Sequence, residues 1–171
     1  MLVILFRHGP AGGHDPRRWP DDRKRPLTDR GLIRTRDAAR GLARMEGNVT
    51  RILSSPLVRS MDTAKIVQEV FELSSAIEPL EALGAGGSYR DVLRRVAEFG
   101  ADDCVLLVGH EPDLGKLAGV MLFGAPASLP LKKAGACAIY FDEAPQAGQG
   151  ILQWLIPPRG LRALGRKKSK V

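Results

Sequence analysis

Three short stretches of this chain join groups that bind and attack phosphorus. Arg7-His8-Gly9 follows an apolar run. Ser54-Ser55-Pro56 follows a second run and precedes Arg59. Gly109-His110-Glu111-Pro112 follows a third. An imidazole is a nucleophile near neutral pH, provided its second nitrogen is held by a hydrogen bond. Guanidinium groups match the oxygens of a phosphoryl group and carry the charge that phosphoryl transfer must stabilise. Each residue alone is weak evidence, since a strand-end arginine is usually a surface charge and a strand-end histidine usually a loop residue. Their meaning depends on whether the chain brings the three ends together.

The runs before these motifs read as strands. Leu2–Phe6 and Cys104–Val108 are continuously apolar, as in strands buried on both faces, and Arg51–Ser54 is a shorter strand. Thr28 is a helix cap for a segment with Leu32, Thr35, Ala38, Ala39, Leu42 and Met45 at helical spacing. A second helix is expected from Ser55, with Pro56 in its first turn and Ser55 as a cap. Others are expected over Tyr89–Phe99 and from Pro112 to Leu122. Ala136–Phe141 and Ile151–Ile156 are two further strands, paired as a hairpin. Alternating strands and helices predict an α/β fold, a three-layer αβα sandwich with a mostly parallel central sheet and helices on both faces. In such sheets ligands bind outside the carboxyl ends of the strands, where all three motifs lie. Residues 9–26 form a long loop rich in Gly, Pro, Asp and Arg, a length associated with function. His14 is read as a loop residue.

The 171 residues amount to one domain, and 44% apolar with 26% charged residues excludes a disordered chain. No apolar run approaches a membrane span, and the N-terminus lacks the pattern of a signal peptide. The net charge of +7 is concentrated in residues 159–171, which hold six basic residues and no acid. We therefore read residues 1–158 as a single domain and 159–171 as a basic, solvated tail. Nucleic-acid binding by that tail is the minority reading. Cys104 and Cys137 read as small core residues of a protein in a reducing cytoplasm, and no metal-ligand spacing occurs.

Together the motifs resemble the signatures of the histidine phosphatase superfamily. Arg7-His8-Gly9, then Ser54-Ser55-Pro56-Leu57-Val58-Arg59 with Thr63-Ala64, then Gly109-His110 follow its order and approximate spacing. Arg25-Pro26-Leu27-Thr28 with Gly31, Gly109-His110-Glu111-Pro112-Asp113-Leu114, Leu131–Ala136 and Trp154–Arg159 are similar to its short, SixA-like phosphohistidine phosphatase branch. The resemblance implies a phosphoglycerate-mutase-like fold and a phosphatase that needs neither metal nor cofactor. It implies His8 as the nucleophile, Arg7 and Arg59 as phosphoryl ligands, and His110 as a further donor, protonated beside the dianion. Glu81 is the candidate proton donor, at the position matching the acid of many members. Arg25 and Gly9 are candidates for contact with the substrate, Gly9 because glycine lets backbone approach closely. The expected substrate is a phosphorylated protein. A small phosphoester, or a silent phosphate-binding module, are the alternatives. Neither oligomeric state nor pathway follows from the sequence.

Overall fold

A computed structural model describes residues 1–166. Six strands form one sheet: β1 (Leu2–Arg7), β2 (Arg51–Ser54), β3 (Glu78–Pro79), β4 (Cys104–Gly109), β5 (Ala136–Tyr140) and β6 (Ile151–Ile156). Their spatial order is β3-β2-β4-β1-β5-β6. The first four run parallel, while β5 is antiparallel to both β1 and β6. The helices are α1 (Asp29–Met45), α2 (Val58–Val70), α3 (Tyr89–Val96), α4 (Asp113–Phe123) and α5 (Pro158–Gly165). This is the expected three-layer α/β/α arrangement.

Alternation along β1 divides the core in two. Val3 and Leu5 face Val92, Val96, Leu114 and Leu117 of α3 and α4. Ile4 and Phe6 face Ala38, Leu42, Val67 and Leu161 of α1, α2 and α5. All four β1 side chains are fully buried, as the unbroken apolar run requires of a strand covered on both faces. Cys104 and Cys137 are free and buried in β4 and β5, and burial pushes both thiols up to about 12.

Two local expectations differ from the structure. Thr28 does cap α1, its Oγ1 accepting the amide of Gly31 at 3.0 Å. By contrast, α2 starts at Val58, so Pro56 precedes the helix, and Leu57 occupies the cap position without a side-chain bond. Ser55 is thus freed for another contact. The second difference is at the chain's end. Residues 159–165, read as the start of a solvated tail, belong to α5, which packs on α1. Leu161 is fully buried there. A Cβ on Gly41 would lie 1.8 Å from the Leu161 carbonyl, so glycine on α1 is what lets the two helices approach. The guanidinium of Arg44 donates to the Leu164 carbonyl at 2.8 Å, near the end of α5. The remainder of the basic run, residues 167–171, lies outside the described residues. Among the described residues no helix is long and apolar enough to cross a membrane.

Candidate active site

Register brings the motifs together. Arg7 of β1 is paired with Gly109 of β4, and the amide of His8 donates to the Gly109 carbonyl at 3.1 Å. His8 and His110, each one residue past these partners, therefore emerge side by side. Their rings stand 5.0 Å apart at a tilt of 51°. On the other flank of β4, Ser54 is paired with Val108, and the Ser55 amide donates to the Val108 carbonyl. This places the Ser55 hydroxyl 2.8 Å from His110 Nε2, and the Ser60 hydroxyl of α2 lies 3.1 Å from the same atom. Ser55 is thus a partner of the imidazole rather than a helix cap.

The His8 ring is fixed by its neighbour. Nδ1 lies 2.7 Å from the Gly9 carbonyl, which only accepts, so Nδ1 carries the proton. The lone pair of the neutral ring is left on Nε2, the nitrogen a nucleophile needs. The Gly9 amide donates to Thr63 Oγ1 at 3.0 Å, and that hydroxyl donates to the Arg59 carbonyl at 2.8 Å. The loop that follows His8 and the helix that carries Arg59 are therefore tied through one threonine. Glycine at position 9 is required by packing, because a Cβ there would meet Thr35 Oγ1 of α1 at 1.9 Å.

The two histidines are buried among cations. Burial is the largest influence on His8, followed by His110, with Arg59 and Arg7 adding to it against the Gly9 bond, and its pKa falls to about 3. Burial, then Arg59 and Arg7, hold His110 down at about 4. Both rings are neutral at physiological pH, which serves a nucleophile.

Each arginine is anchored at one edge. Arg7 donates through Nη1 to the Leu131 carbonyl at 2.8 Å. Arg59 donates through Nη1 to the Asp22 carbonyl at 2.8 Å, and the Asp22 carboxylate lies 3.1 Å from the same nitrogen. Among the described residues, the Nε of both arginines is buried without a partner. Asp22 also accepts from Arg25 Nε at 2.7 Å and faces His14 Nδ1 at 3.1 Å. The Arg25 bond is the main reason its carboxyl sits well below the usual carboxylate range. Arg25, also bonded to the Gly12 carbonyl, is a bracket for the long loop.

Glu81 is placed differently. It follows β3 in a short 3-10 turn, and its side chain is 80% exposed, 3.7 Å from Arg23. It lines, with Asp22, Arg23, Leu57 and Arg59, a cavity of about 400 Å³. It makes no hydrogen bond or ion pair with Arg7, His8, Arg59 or His110 among the described residues. Glu111 is half-buried, and its carboxylate accepts the Leu131 amide at 3.0 Å; burial pushes its pKa up.

Sequence reasoning missed Asp22, Ser60 and Lys133. Asp22 carried one signal, its position three residues before Arg25. Ser60 adjoins Arg59, and α2's helical phase alone does not reveal that it meets His110. Lys133 lies in a turn whose Ala134 amide donates to the carbonyls of Arg7 and His8. Burial first, then Arg7, Arg25 and Arg59, lower the Lys133 pKa, so this ammonium shares the field of the site.

Known proteins resemble this chain in sequence and fold. Residues 3–84 match the model of the histidine phosphatase superfamily (branch 1). An uncharacterised protein of Picosynechococcus is 37% identical over 138 residues, covering 79% of this chain and 82% of that one. The phosphohistidine phosphatase SixA of Escherichia coli is 28% identical over 165 residues, 95% of this chain and 97% of its own. The solved structure of the protein histidine phosphatase SixA complexed with tungstate superposes with a TM-score of 0.81 at 27% identity, covering 94% of this chain and 99% of that one. With its motifs, sheet order and paired histidines alongside these similarities, the chain belongs to the histidine phosphatase superfamily, in its SixA-like branch.

Proposed function

We propose that this phosphatase removes the phosphoryl group from phosphohistidine on a protein, through a phosphorylated His8. His8 Nε2 attacks phosphorus in line as the bond from phosphorus to the substrate ring breaks; that ring, protonated on its other nitrogen, takes the electron pair and leaves as neutral imidazole. Arg7 and Arg59 hold the equatorial oxygens, where the transferring group carries its charge. His110 contacts the same group. The bound dianion opposes the cationic surroundings of His110 and favours its protonated form. Water then attacks phospho-His8, releasing phosphate and restoring the neutral ring.

The observation that carries this reading is where the site's acids are engaged. Asp22 is held ionised by arginines, Glu111 is bonded to the Leu131 amide, and Glu81 is exposed beside Arg23. An alkoxide leaving group needs a proton from an acid, whereas a phosphohistidine ring protonated from solvent on its other nitrogen leaves as neutral imidazole and needs no acid from the enzyme. The named activity of the Escherichia coli relative supports the same substrate. The two unpaired core cysteines fit a reducing compartment such as the cytoplasm. A second reading, a small-molecule phosphomonoesterase, is favoured by Glu81 lining the cavity that holds Arg59.

Hydrolysis of a phosphohistidine peptide and of free phosphoserine by wild type and Glu81→Gln separates the two. The phosphohistidine reading expects kcat/KM to favour phosphohistidine by about a hundredfold and to be unmoved by the substitution. Preference for phosphoserine, with a comparable loss in Glu81→Gln, would establish the second reading instead.

A further inference from the structure

In the long loop beside the site, the acids bond to backbone amides or to site cations rather than to the exposed bases Arg17, Arg18 and Lys24. Asp15 accepts the amides of Arg17 and Arg18 at 2.9 and 3.4 Å, and Asp21 accepts the amide of Arg23 at 3.0 Å. Asp22 is taken up by Arg25, Arg59 and His14. Arg17, Arg18 and Lys24 are all exposed, and among the described residues none has an acid within ion-pairing distance. Arg18 lies 5.7 Å over the Trp19 ring. These two, with Arg25, Pro26 and Leu27, line a cleft of about 410 Å³ beside the Arg25–Asp22–Arg59 chain. Across the site the turn carrying Lys132 and Lys133 is bonded to Arg7 and His8, and both lysines are exposed.

A phosphoryl group alone is served by Arg7 and Arg59. A second set of unpaired cations on both sides of the pocket repel one another unless an anionic surface meets them. We infer that the mouth of this site docks an acidic protein segment, with loop residues Arg17, Arg18 and Lys24 on one side of the phosphorylated residue and Lys132 and Lys133 on the other. The inference rests on the phosphohistidine reading and names the surroundings of its substrate. Charge complementarity of this kind acts on encounter and partner choice more than on the chemical step.

The test uses the full chain and an Arg17→Gln/Arg18→Gln/Lys24→Gln variant, with melting curves to confirm the fold. Two phosphohistidine peptides of equal length, one flanked by Asp and Glu and one by Ser and Asn, are compared with N-phosphoimidazole. Wild type is expected to favour the acidic peptide about tenfold in kcat/KM, an advantage lost in the variant and at roughly 0.5 M salt. N-phosphoimidazole turnover stays within about twofold, since none of the three residues touches the phosphoryl pocket. Equal use of both peptides by wild type, or a preference that survives the substitutions, would overturn docking while leaving the hydrolase intact. Failure on all three substrates removes the hydrolase reading instead. Anisotropy titration with the unphosphorylated peptides still decides docking in that case, which requires tighter binding of the acidic one through the same residues. Tighter binding of a short RNA than of the acidic peptide would overturn the assignment to a protein segment.

Discussion

The Asp22 carboxylate lies 3.1 Å from the guanidinium of Arg59, while the backbone carbonyl of the same aspartate accepts that guanidinium at 2.8 Å. One residue therefore both positions Arg59, the proposed phosphoryl ligand, and offsets its charge. The two contributions can be separated. Asp22→Asn keeps the carbonyl but removes the charge, so the pocket becomes more positive without losing its main anchor. Inorganic phosphate should inhibit this variant more strongly, with Ki lower by up to about tenfold. An unchanged or raised Ki would show that the carboxylate is needed chiefly to hold Arg59 in place.

Burial and neighbouring cations depress both site histidines, His8 to about 3 and His110 to about 4. The depressed direction means that each ring gains its proton at lower pH than an ordinary histidine. The unfolded chain takes up those protons below about 6.5 while the folded chain does not, so stability falls as pH drops from there toward 4. A ¹⁵N titration of the imidazoles should find both rings neutral at pH 5.5. Midpoints near 6.5 would contradict the electrostatic account of the site.

Thr63 accepts the Gly9 amide and donates to the Arg59 carbonyl, joining the loop after His8 to α2. Thr63→Val preserves shape but strands the Gly9 amide in a buried setting. Denaturant unfolding should show a loss of about 1–3 kcal/mol, and kcat/KM should fall as the two halves of the site loosen. Full stability and activity in this variant would mean that the strand ends alone position His8 and Arg59.

The parts of the site that follow from strand register were legible in the sequence. Unbroken apolar runs identify β1 and β4, and a histidine two residues past each run end has little freedom once the strands are parallel neighbours. Asp22 was not legible, because its partner Arg59 lies 37 residues away and a loop has no periodicity to predict which side chain turns inward. The docking of α5 was obscured by composition. A segment with two arginines at the head of a basic run reads as solvated, yet a single buried leucine and a glycine on the facing helix suffice to seat it. Ser55 was misread because the serine-proline pair suggests a cap, whereas the pairing of β2 with β4 brings its hydroxyl to His110.

The central claim is that His8 Nε2 receives the phosphoryl group. Rapid acid-free quenching during turnover of a phosphohistidine peptide, followed by mass-spectrometric mapping, tests it directly. The account predicts a phosphoryl group on His8 in wild type, and neither that label nor phosphate release in His8→Ala. A phosphoryl group on another residue, or release by His8→Ala at the wild-type rate, would contradict it.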